Sequence, residues 1–339
     1  MLQYNHKRDK TNMDTNILLQ ILLLVGGFVV LIKGADWLVD GASSVASNFK
    51  VSKQLVGLTI VAFGTGAPEL AVSITSMVGG NTDMLLGNVM GSNIINILLL
   101  IGVAALISPI KINKNTISKE LPLLLLTTLG LVFLFLDTTL SGANENWITR
   151  SDGLVCVLFF AIFLYYIIAM TRKNKKEKHK VEKPKWKLGK SFLFVILGLV
   201  GVVGGSQLVV SSASSIASVI GISDRIIALT VVAFGTSLPE LVTTITAARR
   251  HENELLVGNI IGSNIFNICI VLGLPVAIFG GIRPESFEML DVIMMVVSAA
   301  LLWLVARRGS PISKKEGSLM LIVFAIYYGY IVANALTAI

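Results

Sequence analysis

The stretch "VAFGTGAPEL", residues 61 to 70, decides the fold because it places a helix-breaking proline and a carboxylate inside an apolar segment. A near copy, "VAFGTSLPEL", occurs at residues 232 to 241. Proline has no amide hydrogen, and its ring clashes with the carbonyl group four residues earlier in a helix. Pro68 and Pro239 are therefore each predicted to break a helix.

The segments around these motifs are long and apolar enough to cross a lipid bilayer. Of the 339 residues, 54% are hydrophobic and only 14% are charged, which is typical of an all-α integral membrane protein. Hydropathy predicts ten spans, at residues 17–48, 51–78, 83–108, 119–137, 153–171, 191–219, 222–248, 254–279, 289–306 and 317–337.

The chain contains an internal repeat. A shift of 171 residues aligns residues 34–107 with residues 205–278 without a gap. Five predicted spans separate equivalent positions, and an odd number of crossings gives the second copy the opposite orientation. We therefore predict ten transmembrane helices in two inverted-topology five-helix repeats, with helices 2 and 7 broken. This architecture is typical of secondary transporters.

The basic residues indicate how the chain is oriented. One set of alternate loops holds 21 of the 28 Lys and Arg residues, and ten of these lie in the linker between the repeats. The positive-inside rule then places this linker in the cytoplasm and both termini outside, for a protein of the cell (plasma) membrane.

The predicted units are a polar N-terminal tail at 1–16, a first repeat at 17–171, a basic linker at 172–190 and a second repeat at 191–339. The net charge of +8 comes mainly from basic residues in the loops of one side, which membrane topology already explains. We therefore expect no nucleic-acid partner.

Each motif gathers oxygen atoms of several kinds. The prolines free the carbonyl groups of Gly64 and Gly235, and irregular backbone at membrane depth is tolerated where it lines a cavity or binds ions. Each glycine is followed by a threonine, and each proline by a glutamate in the first turn of the continuing half-helix, namely Thr65, Glu69, Thr236 and Glu240.

The span after each motif supplies further polar side chains. Asn88, Ser92 and Asn96 are spaced by four residues and share one helix face. The second repeat carries the same face, formed by Asn259, Ser263 and Asn267. The glycines beside them form GxxxG pairs, which are expected to serve close helix packing.

Two buried carboxylates without a basic residue near the centre of either motif span predict a cation site. Each costs at least ~2.5 kcal/mol at the centre of a membrane helix. Since only hydroxyl, amide and carbonyl oxygens accompany them, the cation should be hard, and calcium fits best. Nothing in the sequence pairs a nucleophile with a base, so no catalytic residue, no cofactor and no enzyme activity are predicted.

The motifs "GTGAPEL" and "GTSLPEL", with "GNVMGSN" and "GNIIGSN", resemble the paired alpha repeats of the calcium/cation antiporter superfamily, most closely the prokaryotic sodium/calcium exchangers. The resemblance covers nearly the whole chain. It implies a secondary active antiporter in which sodium and calcium bind alternately by alternating access. The cation ligands that it implies are Glu69, Glu240, Thr65, Thr236, Ser237, the carbonyl groups of Ala62 and Ala233, Ser92, Ser263, Asn96 and Asn267.

Two positions depart from the family pattern. Gly66 stands where the family commonly has serine, and Asn267 stands where many members carry aspartate. Without a third carboxylate, the two glutamates give the site a charge of −2, which one calcium ion or two sodium ions would neutralise.

Other functions remain open at this point. A proton/calcium antiporter, or one for another divalent cation, is the main alternative because adjacent carboxylates can take up protons. A cation channel is a further alternative, although channels usually build their filters by oligomeric symmetry. We expect sodium ions, calcium ions and the lipid bilayer as partners, and a functional monomer.

Five side chains outside the motifs carry expectations of their own. Asp36 and Asp40 of the first span are expected at the membrane interface, with Lys33 pairing Asp36. Cys156 and Cys269 lie far apart in sequence within predicted spans, so we expect buried apolar fillers and no disulfide.

Overall fold

A computed structural model describes residues 2–136, 142, 146–174, 183–220, 233–283 and 289–337. These residues form helices, and two isolated β-bridges join loops, Ile110 with Ile312 and Ile148 with Ile282. We number the helices α1 (Leu2–Phe49), α2 (Lys53–Thr65), α3 (Ala67–Val78), α4 (Thr82–Ile107), α5 (Thr116–Leu134), α6 (Arg150–Asn174), α7 (Leu188–Val219), α8 (Ala233–Gly235), α9 (Leu238–Arg249), α10 (Asn253–Phe279), α11 (Met289–Arg307) and α12 (Lys314–Thr337).

Eight of these helices are long and apolar enough to cross a membrane. A ninth span consists of α2 and α3 together, which meet at an angle of 44°. The predicted span 222–248 is described only from Ala233 onward, since residues 222–232 lie outside the described part of the chain, as do linker residues 175–182. The described helices therefore account for nine of the ten predicted spans and for the second half of the remaining one.

The predicted break at Pro68 occurs where the sequence places it. Helix α2 ends at Thr65, Gly66 has φ −78° and ψ 1°, and α3 begins with Ala67 and Pro68. Proline suits the first turn of a helix, where its missing amide hydrogen has no partner to lose. Pro68 thus lies in the first turn of α3 and prevents α2 from continuing through it.

Helices α1 and α7 pack backbone to backbone through glycines. A β-carbon at Gly198 would lie 2.5 Å from the backbone nitrogen of Leu38, and one at Gly34 would lie 2.6 Å from that of Val202. Small residues allow this close approach in membranes, where lipid chains are as apolar as the side chains they replace. The two longest helices therefore form one tightly packed pair.

The end of the linker, residues 183–187, is attached to this pair through Trp186. The Trp186 ring stacks on Phe194 of α7, with ring centroids 4.1 Å apart. Its backbone amide donates to the Ser44 hydroxyl at 3.1 Å, and Asn48 donates to its carbonyl oxygen at 2.8 Å. Because Ser44 and Asn48 belong to α1, the linker end is bonded to both helices of the pair.

A charged cluster at the linker end joins α1 to the chain just after α9. Arg250 forms ion pairs with Asp36, at 2.7 Å, and with Asp40, and Lys185 pairs with Asp40 at 2.8 Å. The expected pairing of Lys33 with Asp36 is therefore wrong. The physical reason is that α9 packs against α1, so that Arg250, just after α9, brings one guanidinium group to both carboxylates, a geometry that arginine satisfies better than lysine.

Replacing Arg250 with alanine is expected to lower the free energy of unfolding by about 1 kcal/mol, because partly exposed ion pairs contribute roughly 0.2–1 kcal/mol each. The measurement is the midpoint of thermal unfolding in detergent at low and high salt. Arg249→Ala is the matched control, since Arg249 has no ion pair among the described residues. Equal effects of the two changes would contradict a stabilising role for the cluster.

Candidate functional site

The first break separates α2 from α3, the helix that carries Glu69. The Gly66 amide donates to the Ala62 carbonyl oxygen at 3.0 Å, and the Leu70 amide donates to Gly66 at 3.2 Å, so hydrogen bonding resumes across the bend. Glu69 lies in the first turn of α3, near the positive end of the helix dipole. A π-helical stretch, Gly57–Val61, precedes the break, and such stretches are common at functional sites.

The second break has the same form but one additional hydrogen bond. Helix α8 ends at Gly235, α9 begins at Leu238, and Glu240 lies in the first turn of α9. The Ser206 hydroxyl of α7 donates to the Gly235 carbonyl oxygen at 2.9 Å. The sequence analysis missed Ser206 because the repeat gives no signal for it: the equivalent position in the first repeat is Ala35, which has no hydroxyl group.

An aromatic residue fixes each break to neighbouring helices. Phe63 stacks on Phe266 of α10 at 5.1 Å and packs against Phe160 of α6 at 5.3 Å. Its counterpart Phe234 packs edge to face against Tyr328 of α12 at 4.8 Å. Such contacts hold the interrupted backbone in place, since aromatic pairs contribute about 0.5–1.5 kcal/mol beyond their buried area.

The structure buries most of the predicted ligands. Each of the following is 3% exposed or less: Ala62, Thr65, Glu69, Ser92, Asn96, Ser237, Glu240, Ser263 and Asn267. Thr236 is half-buried, and Ala233 is described by its backbone, as the first residue of α8.

The two repeats cross-pack around the breaks. Asn267 begins a π-helical stretch, Asn267–Leu272, which packs against α3, the helix of Glu69. Asn96 lies in the equivalent stretch, Ile95–Leu100, which packs against α9, the helix of Glu240. The helix that carries the glutamate of each repeat therefore packs against the amide-bearing segment of the other.

Glu69 and Glu240 are the two acidic residues of the candidate site. Glu69 and Glu240 lie close enough for direct Coulombic repulsion. Among the described residues, none of their four carboxylate oxygens has a hydrogen-bond partner at normal distance and angle. Thr65 lies beside Glu240, but its hydroxyl donates to the Val61 carbonyl oxygen at 3.0 Å. Two adjacent negative charges without a donor favour a cation as their partner.

Further buried polar atoms of α4 and α10 also lack partners within the described ranges. They include both polar atoms of the Asn96 amide group, the Asn267 Oδ1 and the Ser263 Oγ. Ser237 donates to Ser92 at 3.4 Å, a contact between the two repeats. Buried polar atoms are normally hydrogen-bonded, so these unpaired atoms make the region a candidate ligand site.

The structure gives a physical reason for glycine at position 66. A β-carbon there would lie 3.0 Å from both the Ala62 carbonyl oxygen and the Phe266 ring. In the first repeat the residue equivalent to Phe266 is Ile95, which is smaller and has no ring at this place. Serine therefore fits at Ser237, whereas the Phe266 ring crowds position 66.

A third buried carboxylate, Glu120, lies in α5 outside the predicted site. It is fully buried, and it accepts a hydrogen bond from the Tyr166 hydroxyl. Sequence reasoning passed over Glu120 because it falls at the predicted end of a span, where charged residues are ordinary. Its phenol partner distinguishes it from Glu69 and Glu240.

The chain matches known proteins over most of its length. A family model described as sodium/calcium exchanger protein matches residues 19–169 and 190–333. The sodium/calcium exchanger MaX1 of Methanosarcina acetivorans is 30% identical, over 92% of this chain and 98% of its own length. The inner membrane protein YrbG of Escherichia coli is 35% identical, over 90% of this chain and 94% of its own length.

A solved structure shares the fold. The sodium-calcium exchanger NCX_Mj, soaked with 10 mM Na⁺ and zero Ca²⁺, superposes with a TM-score of 0.78 at 32% identity, covering 91% of this chain and 98% of that one. The described fold thus agrees with an experimental structure of an exchanger. From the family model, the relatives and this superposition together, the chain belongs to the sodium/calcium exchanger family, whose members are cation antiporters of the membrane.

Proposed function

We propose that this protein exchanges sodium ions for calcium across the membrane by alternating access, with both cations sharing one site at Glu69 and Glu240. The observation that carries the proposal is the pair of mutually repelling, fully buried carboxylates without a hydrogen-bond donor among the described residues. The relatives named as sodium/calcium exchangers support sodium and calcium as the two cargoes.

The negative charge of the site couples the sodium flux to the calcium flux. A site with a charge of −2 resists closure in a low-dielectric interior unless cations neutralise it, because desolvating an unpaired carboxylate costs several kcal/mol. One calcium ion or two sodium ions satisfy this requirement. The empty carrier therefore does not cross between its two states, and exchange is obligatory.

The predicted ligands divide between calcium and sodium. We assign calcium to the two carboxylates with the Thr65 and Thr236 hydroxyls and the Ala62 and Ala233 carbonyl groups. Sodium would use the same carboxylates and, in addition, hydroxyl and amide oxygens of the neighbouring helices, from Ser92, Asn96, Ser237, Ser263 and Asn267. This set supplies the oxygen atoms that hard cations prefer.

The same proposal includes the architecture and orientation predicted from the sequence. Ten helices in two inverted repeats would enclose the site near the bilayer midplane, consistent with the cross-packing of α3 with the Asn267 segment and of α9 with the Asn96 segment. The linker would lie in the cytoplasm and both termini outside the cell membrane. One chain supplies both carboxylates, which favours a functional monomer.

A proton/calcium antiporter is the second candidate. It is favoured by the same pair of carboxylates, since protonating one of them would also relieve the repulsion. The two functions differ in which gradient drives calcium.

Calcium uptake into reconstituted vesicles separates them. We expect an outward sodium gradient without a pH gradient to drive uptake, and an outward proton gradient without sodium to leave it at background. Vesicles containing the Glu240→Gln variant are the control for leak. Uptake driven by the pH gradient alone would establish the proton-coupled function instead.

A further inference from the structure

The two repeats carry the same polar residues around their breaks, but those residues are bonded differently. In the first repeat, the Asn88 amide nitrogen donates to the backbone carbonyl oxygen of Glu69 and to the Ser73 hydroxyl, both at 3.1 Å. Its carbonyl oxygen accepts a long hydrogen bond, 3.5 Å, from Thr236 of the second repeat. Asn88 thus connects α3 to the break that precedes α9.

The shift of 171 residues assigns a counterpart to each member of this group. Asn259 corresponds to Asn88, Thr244 to Ser73 and Thr65 to Thr236. Asn259 is 1% exposed, yet neither atom of its amide group has a partner among the described residues, and the Thr244 hydroxyl has none there either. Thr65 donates within its own helix, to Val61, at 3.0 Å.

We call Asn88, Ser73 and Thr236 the first group, and Asn259, Thr244 and Thr65 the second group. The second group has equivalent residues but none of the hydrogen bonds that join the first. All the counterparts lie in the described part of the chain, so the difference is not one of missing residues. A buried carboxamide without a partner is unfavourable, and it calls for an explanation in the function of the site.

Pseudo-symmetry supplies that explanation. In an inverted repeat, the rotation that exchanges the two halves also exchanges the two faces of the membrane. A conformation in which only the first group is bonded consequently has a partner conformation, open to the opposite face, in which the second group is bonded.

We propose that Asn88 and Asn259 are alternating positioning residues for the transport site. Asn88 holds α3 against the second break in the conformation described here. Asn259 makes the corresponding contacts with Thr244 and Thr65 in the conformation open to the other side. This inference rests on the inverted-repeat antiporter proposed above. It adds that Asn88 positions α3, the helix of Glu69, in one conformation, and that Asn259 positions α9, the helix of Glu240, in the other.

Asn88 acts through another residue and is not itself a cation ligand. Its amide binds the backbone of Glu69 and leaves the carboxylate free. Loss of the amide should therefore alter how the two conformations are populated and leave cation binding possible.

The test compares alanine variants at the two positions, Asn88→Ala and Asn259→Ala, in full-length protein in lipid nanodiscs. Hydrogen–deuterium exchange without added calcium is the first measurement. We expect Asn88→Ala to speed amide exchange at the start of α3 severalfold and Asn259→Ala to leave the start of α9 unchanged or slower. Equal acceleration in both variants would overturn the proposal.

Calcium self-exchange in vesicles of known orientation is the second measurement. We expect the two variants to raise the half-saturating calcium concentration on opposite faces, severalfold, while exchange continues. A purely structural role would affect both faces alike. Because self-exchange needs no sodium, its outcome is independent of whether sodium or protons drive net transport, and the exchange of amide hydrogens is independent of calcium transport altogether.

Milder changes keep the test valid if an alanine variant fails to fold. Ser73→Ala removes one acceptor of Asn88 and leaves the asparagine in place, and Thr244→Val is its matched counterpart. Ser73→Ala should reproduce the Asn88→Ala pattern more weakly, and Thr244→Val should follow Asn259→Ala. A Thr244→Val variant that behaves like Ser73→Ala on the same face would contradict the alternation.

Discussion

Glu69→Gln and Glu240→Gln are each expected to reduce calcium binding by roughly a thousandfold and to abolish measurable exchange. Glutamine keeps the shape of the side chain but removes one of two negative charges. Two unit charges about 4 Å apart interact by about 4 kcal/mol at an effective dielectric constant of 20, and every ~1.4 kcal/mol is a factor of ten, so with a doubly charged calcium ion a thousandfold loss is the lower bound. Calcium titration of the purified protein by calorimetry measures the loss directly.

The chain offers a matched control for this prediction. Glu120 is also a fully buried glutamate in a membrane helix, but it is bonded to Tyr166 and lies outside the site. Glu120→Gln should leave calcium affinity within a few-fold of the unchanged protein. If Glu120→Gln abolished calcium binding while Glu69→Gln retained it, the assignment of the site would be wrong.

Gly198→Leu is expected to destabilise the protein by about 3 kcal/mol or more, the upper range for overpacking, because the clash is with backbone. The new β-carbon would lie 2.5 Å from the Leu38 nitrogen and 2.7 Å from its α-carbon. Neither atom can move without separating α1 from α7. The measurement is the thermal unfolding midpoint in detergent, together with the yield of monodisperse protein.

Gly204→Leu serves as the control for helix propensity and added volume. Gly204 lies in the same helix, is exposed, and has no heavy atom within 4 Å of an added β-carbon. It should express and unfold like the unchanged protein. Similar losses in both variants would show that glycine itself, rather than close packing of the two helices, is required in α7.

The positions of the helix breaks and of the two glutamates could be predicted from sequence because their causes are local. Pro68 removes one helical hydrogen bond and clashes with the preceding turn whatever surrounds it, and the repeat offset links Glu69 to Glu240 without knowledge of the fold. Hydropathy likewise located the apolar helices, since a run of about twenty apolar residues has the length and composition of a membrane-spanning helix.

Partners contributed by distant helices could not be predicted. Ser206 bonds Gly235 because of how α7 crosses α8, and Arg250 reaches Asp36 because of how α9 meets α1. Neither contact leaves a spacing pattern in the sequence. The π-helical stretches escaped prediction for a related reason: the apolar residues of Ile95–Leu100 would suit an ordinary α-helix equally well.

The charged cluster of Asp36, Asp40 and Arg250 has no equivalent in the other half of the chain. The corresponding positions hold Gln207, Ser211 and Gly79, which carry no charge and cannot form these ion pairs. A carrier whose halves were identical would run equally well in either direction under mirrored gradients. Within the described part of the chain these ion pairs stabilise one half of the pseudo-symmetric pair and not the other, so symmetry does not oblige this antiporter to run at equal rates in the two directions.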